Sequence, residues 1–188
     1  DDLVLYLSKK LVRREFRPLT REEITPELFR CFDRFQIVEK CWRKVEGQWV
    51  VKDVVVTERW GEEDYRFLCQ CLQNTVATGG QVWGAFLEGR LKGFASVEGP
   101  LIGSQKQYAD LTSIHVSADA RGHGLGRQLF QRAEETGRRL GAKALYISAH
   151  SSVESQAFYK AMGCVEATEY IPAHVEQEPC DCQLECPL

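Results

Sequence analysis

Ser113-Ile-His-Val-Ser-Ala-Asp-Ala-Arg-Gly-His-Gly-Leu-Gly-Arg-Gln-Leu-Phe130 decides the fold, because an extended run passes through a glycine loop straight into a helix. Ile114 and Val116 flank His115 in a short apolar alternation that predicts a strand. Gly122, Gly124 and Gly126 let the backbone turn and approach a ligand closely. From Leu125 the apolar face recurs at Leu129, Ala133, Thr136 or Gly137, and Leu140, the pattern of an amphipathic helix. Glu134 to Arg138 and Glu135 to Arg139 are Glu-first pairs four apart that support its wet side.

The first amides of such a helix have no intrahelical acceptor, and the aligned dipoles place roughly half a positive charge there. Arg121 and Arg127 add full charges on either side. Phosphate or pyrophosphate is the expected guest. Spacing excludes two nucleotide loops. The dinucleotide pattern Gly-x-Gly-x-x-Gly fails at Arg127 when read from Gly122 and at Leu129 when read from Gly124, and Gly126-Arg-Gln lacks the Lys-Ser/Thr of a Walker loop.

What fits is Arg/Gln-x-x-Gly-x-Gly/Ala, met by Arg121, Gly124 and Gly126. A second stretch, Ser151-Ser-Val-Glu-Ser-Gln-Ala-Phe-Tyr-Lys-Ala-Met-Gly-Cys164, follows one helix and one strand later. With both motifs in this order, the chain resembles the GNAT superfamily of N-acetyltransferases. Tyr159 matches the tyrosine of the superfamily's later helix and Met162-Gly163-Cys164 its ending, while Ser152 and Ser155 stand where Asn and Ala are usual. The resemblance covers about residues 62 to 186.

The resemblance implies an α/β fold: a GNAT-like mixed, mostly antiparallel central sheet with flanking helices. It implies acetyl-CoA as cosubstrate and transfer of the acetyl group to a primary amine of a small molecule or peptide by direct attack in a ternary complex; on the cysteine spacing, no metal is expected. The backbone of Ile114, His115 and Val116 would pair with the pantetheine arm. Arg121, Gly122, His123, Gly124, Leu125, Gly126 and Arg127 would hold the pyrophosphate, and Ser152, Ser155 and Phe158 would complete the cofactor site. Tyr159 is the expected acid beside the sulfur, because a phenol is protonated at neutral pH. Asp110 is the first choice of base, with His115, Glu98 and a water chain left open. Strict alternation puts Asp110 on the face of Thr112, Ile114 and Val116, and Ser113 and His115 on the other; a bulge would reverse this. An acyl-CoA-binding sensor or interaction module without transfer is the alternative. Superfamily members are often dimers, so a homodimer stays open.

The remaining sequence sets bounds. With 188 residues and 44% hydrophobic content the chain reads as a single domain over 1–188, with 12–60 on the acceptor side and 62–186 as cofactor core. Residues 1–11 read as a strand or a flexible extension, and not as a signal peptide. A net charge of -3 without a basic, aromatic-interleaved patch disfavours nucleic acid, and no apolar run approaches a bilayer span. Eight cysteines without a secretory signal read as reduced thiols, so a cytoplasmic setting is expected. Cys180, Cys182, Leu184 and Cys186 alternate with polar residues and read as a strand rather than a zinc site. Helices are expected near Pro26 to Phe35, Gly61 to Thr78 and around Tyr159. Strands are expected at Glu15 to Thr20, around Gly47, from Gln81 to Val97 as a hairpin, at Tyr108 to Val116, at Ala144 to Ala149 and near Val165 to Tyr170. Of the aromatics Phe32, Phe35, Trp42, Trp49 and Trp60, most are expected in the core.

Overall fold

The computed structural model describes residues 2–4 and 12–188; the reading of residues 1–11 otherwise falls outside them. Strands β1 (Arg14–Pro18), β4 (Gln81–Leu87), β5 (Arg90–Val97), β6 (Tyr108–Val116), β7 (Ala144–Ala149), β8 (Val165–Glu166) and β9 (Cys182–Pro187) form one sheet in the order β1-β4-β5-β6-β7-β9-β8. Among the described residues only β6 and β7 run parallel, so the sheet is mixed and mostly antiparallel, as expected. Strands β2 (Phe35–Val45) and β3 (Gln48–Arg59) form a separate two-stranded hairpin. Both the β2–β3 and β4–β5 turns are Glu-Gly pairs with positive φ at each residue, the backbone twist that a two-residue hairpin needs.

Helix α1 (Glu62–Ala77) begins with Glu62, Glu63 and Asp64 at its positive end. It covers one sheet face through Cys69 and Leu72, against Val82, Phe86, Leu91 and Phe94. Helix α2 (Leu125–Arg139) covers the other face. Its buried stripe of Leu125, Leu129, Phe130 and Ala133 packs on Trp83, Ala85, Ala95, Leu111 and Leu145. Helix α3 (Val153–Ala161) joins that side through Phe158 and Tyr159, and a short α4 (Pro172–Gln177) follows β8.

Several local expectations change. The helix near Pro26 to Phe35 is only a 3-10 turn at Pro26–Phe29, and Phe35 already opens β2. The backbone of Asp33 bonds instead to a distant loop: its N–H donates to Ser117 Oγ (2.9 Å), and its carbonyl accepts from Ala118 N–H (2.7 Å). β8 stops at Glu166 because Thr168 gives its N–H and its hydroxyl to the Glu185 carboxylate, ending the ladder. Cys180 lies exposed outside β9, which starts at Cys182. Trp49 is exposed on the hairpin, with Lys44 5.5 Å from its ring centre.

A register shift between Ser96 and Val97 places a bulge opposite, at Thr112 of β6. Ala109, Leu111, Ile114 and Val116 therefore all face α2, although their numbers change parity. Asp110, Ser113 and His115 share the opposite face, which reverses strict alternation.

Candidate functional site

The parallel pairing of β6 with β7 spans only Tyr108–Asp110 against Ala144–Tyr146. Beyond that point β9 holds the whole of β7, and β6 stays on β5, so the two strands part. Which β6 groups face the gap follows from one bond. Ser117 N–H donates to Lys92 O at 2.8 Å, and the register pairs Gly93 with Val116 and Phe94 with His115. Hydrogen-bonded and non-bonded pairs alternate in an antiparallel ladder, so Ser113 and His115 bond to β5. The N–H and C=O groups of Ile114 and Val116 therefore point into the gap as a strand edge that no strand among the described residues pairs.

At the C-terminal end of β6 the loop leads into α2. Gly124 occupies the N-cap position with φ 76°, and no side chain caps the helix. A cavity of about 260 Å³ opens there, lined on one side by Val116, Arg121, Gly124 and Arg127 and on the other by Phe158 and Met162. Gly126 keeps the two sides close, since a Cβ at that position would stand 3.3 Å from the Phe158 ring. A helix start without a side-chain cap, its dipole and two exposed arginines are the features that suit a negatively charged guest. The Arg121 guanidinium also donates to Phe35 O at 2.6 Å, and Arg14 donates to His123 O at 2.8 Å, so β2 and β1 brace the loop.

The structure thus brings Val116, Arg121, Gly122, Gly124, Leu125, Gly126, Arg127 and Phe158 together around one cavity, with Ile114 on the adjoining edge and His123 inside the loop. Ser152 is fully buried and caps α3, accepting the Ser155 N–H at 3.2 Å. Tyr159, next to Phe158, is buried against Phe130 and Phe158. Its hydroxyl has no hydrogen-bond partner among the described residues. Burial raises the phenol pKa well above its usual value, and Cys164 and Asp181 push it the same way.

On the opposite face the hairpin spans both lips of the gap. At the β6 lip, Arg34 donates to His115 Nδ1 at 3.2 Å; at the β7 lip, Trp42 N–H donates to Ser151 O at 2.8 Å. His115 packs against Trp60 and Phe94, and its pKa falls to about 3 through burial and then the charges of Arg34, Arg121 and His150. It is a neutral acceptor at neutral pH, with the proton on Nε2. Glu58 links Arg34 (3.7 Å) to His150 (3.5 Å) beneath the hairpin. Burial lowers the Arg34 pKa most, Glu58 opposes that, and Arg121 adds to it. Glu98 accepts from Thr75 and Thr112 hydroxyls at 2.7 and 2.9 Å. Asp110 lies at the vertex of the gap, 7% exposed, with His174 Nε2 2.8 Å from its Oδ2. Sequence reasoning singled out neither Arg34, Glu58 nor a partner for His174, since each pairing joins residues far apart in the chain.

No group of three or more His, Cys, Asp or Glu among the described residues has the arrangement to hold a metal ion. No helix among them is long and apolar enough to cross a membrane.

A search of curated proteins found no match. Among solved structures, a putative streptothricin acetyltransferase from Bacillus anthracis strain Ames, in complex with acetyl coenzyme A, aligns with TM-score 0.68 and 16% identity, over 94% of this chain and 99% of that one. Nourseothricin acetyltransferase aligns with TM-score 0.66 and 16% identity, over 93% and 98%. PaiA N-acetyltransferase from Thermoplasma acidophilum, in complex with coenzyme A, aligns with TM-score 0.58 and 16% identity, over 94% and 99%. At these identities the likeness is one of fold. Residues 33–164 match the acetyltransferase (GNAT) family as a sequence family, and with that span the chain belongs to it and is an acetyltransferase.

Proposed function

We propose that the protein transfers an acetyl group from acetyl-CoA to a primary amine by direct attack in a ternary complex. The observation that carries this reading is the unpaired edge of Ile114 and Val116 running into an uncapped, arginine-flanked helix start. A ligand with a diphosphate at one end and an amide-bearing arm fits that order, since the arm can add to the free edge as a strand would. The solved neighbours bound to acetyl coenzyme A and coenzyme A support the same choice. In this reading residues 62–186 form the cofactor core of a single domain, and 12–60 shape the acceptor side.

In the chemistry we propose, the acceptor nitrogen loses two protons overall. The first goes to Asp110, whose Oδ1 is the buried side-chain atom left without a partner among the described residues. The freed amine then attacks the thioester carbonyl, whose oxygen is held by a β6 amide. The C–S bond breaks, and the second proton ends on the sulfur through Tyr159. Because its pKa is raised, Tyr159 cannot protonate a thiolate downhill. It works as a donor that gives its proton as it receives one from the nitrogen.

The test is thiol release from acetyl-CoA with streptothricin, spermidine and a free-N-terminus peptide as acceptors. Release that depends on one of these amines is expected, and Tyr159→Phe should lower kcat by about 10²-fold, the low end for a positioned acid. Thiol release that ignores the amine refutes the transfer reading; an unchanged kcat in the variant removes Tyr159 from the reaction.

A further inference from the structure

Asp110 and Tyr146 are the last register pair before β6 and β7 separate, and His174 of α4 lies over both. Its Nε2 sits 2.8 Å from Asp110 Oδ2, and its ring stacks on Tyr146 at 5.5 Å between centres and 26° between planes. Tyr146 in turn fixes α4. Its hydroxyl accepts the N–H of Ile171, the residue that caps that helix, at 3.1 Å, and donates to Gln183 Oε1. A carboxylate can only accept, so the bond requires the proton on Nε2. Asp110 and then Asp181 raise the His174 pKa against the effect of burial, so that nitrogen keeps its proton in either charge state of the ring. The groups facing the pair are Tyr146 from β7 and Asp181 from the turn before β9, with His150 beyond Asp181.

One oxygen of this carboxylate is held and the other is left alone. Oδ1 is fully buried and lacks any partner among the described residues. A buried polar atom without a partner is costly, and a catalytic role is one of the reasons native structures keep such a group. Six residues of strand, about 20 Å at 3.3 Å per residue, run from Val116 at the anion site back to this vertex. An arm gripped at the loop and laid along β6 ends near it.

We infer that His174 is a positioning residue for acetyl transfer: by holding Asp110 Oδ2 it fixes the carboxylate so that Oδ1 accepts the N–H of the acceptor amine. This rests on Asp110 being the base. The proton leaves nitrogen for Oδ1, the N–H bond breaking as the O–H bond forms. With its side chain 20% exposed against 10% for Asp110, His174 is the more open side of the pair toward water.

The experiment compares wild type, His174→Ala, His174→Gln, Asp110→Asn and the Asp110→Asn/His174→Ala double variant. It measures kcat and both KM values with acetyl-CoA and whichever of streptothricin, spermidine or the peptide turns over. Melting curves with and without acetyl-CoA confirm that each variant is folded. His174→Ala should lower kcat at least about tenfold, part of the 10²–10⁴-fold that a positioned base contributes, with KM for acetyl-CoA unchanged. His174→Gln keeps an N–H donor and should recover most of that loss. In the Asp110→Asn background the His174→Ala change should be silent within about twofold, because coupled residues are non-additive. An equal loss in both backgrounds, or a glutamine no better than alanine, overturns the role of His174. Asp110→Asn turning over like wild type instead removes the base assignment, and the inference with it. No turnover with any of the three amines instead refutes the transfer reading on which the inference rests.

Discussion

Replacing Gly124 with alanine separates backbone strain at the loop from the ligand binding proposed there. Gly124 has φ 76°, and a Cβ built there meets nothing within 4 Å, so the protein itself resists alanine only through backbone conformation. An L-residue in the left-handed region costs about 1–2 kcal/mol. For a chain of this size each kcal/mol moves the Tm by about 2–4 °C, so the free variant should melt about 2–8 °C lower. Gly141, at the far end of α2, has φ 86° and equally open space, which makes Gly141→Ala a control with the same conformational cost. Acetyl-CoA at a hundred times its Kd adds about 2.7 kcal/mol to the folded state, about 5–11 °C. If the new methyl keeps phosphate off the amides and weakens binding a hundredfold, that gain falls to about 0.4 kcal/mol, or 1–2 °C. Thermal melts of the three proteins with and without acetyl-CoA read both quantities. Equal ligand shifts in Gly124→Ala and Gly141→Ala would refute the assignment of the diphosphate to this loop.

Two further outcomes follow from burial. Leu129 is fully buried where α2 meets the sheet, so Leu129→Ala should cost about 2–5 kcal/mol in urea unfolding; a loss under 1 kcal/mol would mean that this contact does not hold α2. His115 binds a proton below about pH 6.5 when unfolded but only below about 3 when folded. Between those values the unfolded state carries the extra proton, so stability falls as pH falls, by at most about 1.4 kcal/mol per unit. His115→Gln keeps an acceptor for Arg34 and should flatten that slope between pH 6.5 and 4; parallel slopes in the two proteins would rule out a buried neutral histidine.

The sequence makes legible those features whose causes lie within a few residues. The apolar period changes from 2 to 3.6 across Gly122 to Gly126, so β6, the loop and α2 can be read directly, and each Glu-Gly pair announces its hairpin. Features set by distant partners escape. The 3-10 turn at Pro26 ends early because the Asp33 backbone bonds to Ser117 and Ala118, more than eighty residues away. His174 gives no local sign of its pairing, since it acquires a partner only when α4 brings it to Asp110, sixty-four residues earlier. Arg34 and Glu58 are ordinary charges in a strand-rich stretch until the hairpin folds over His115 and His150.

The bulge at Thr112 joins these two groups of features. A period-2 strand cannot give Ala109, Leu111, Ile114 and Val116 to one helix, because the last two differ in parity from the first two. One extra residue, taken up opposite Ser96 and Val97, lets it do so. The same shift moves Ser113 and His115 out from under α2 and onto the face that carries Asp110, beneath the hairpin. Without it, a one-residue slip would leave an imidazole and a hydroxyl facing the Leu125–Leu129 core, and would separate His115 from Arg34. The bulge therefore lets one strand serve an apolar helix on one side and a polar surface of Asp110, Ser113 and His115 on the other. Because it depends on pairing with β5, local alternation alone leaves its placement open.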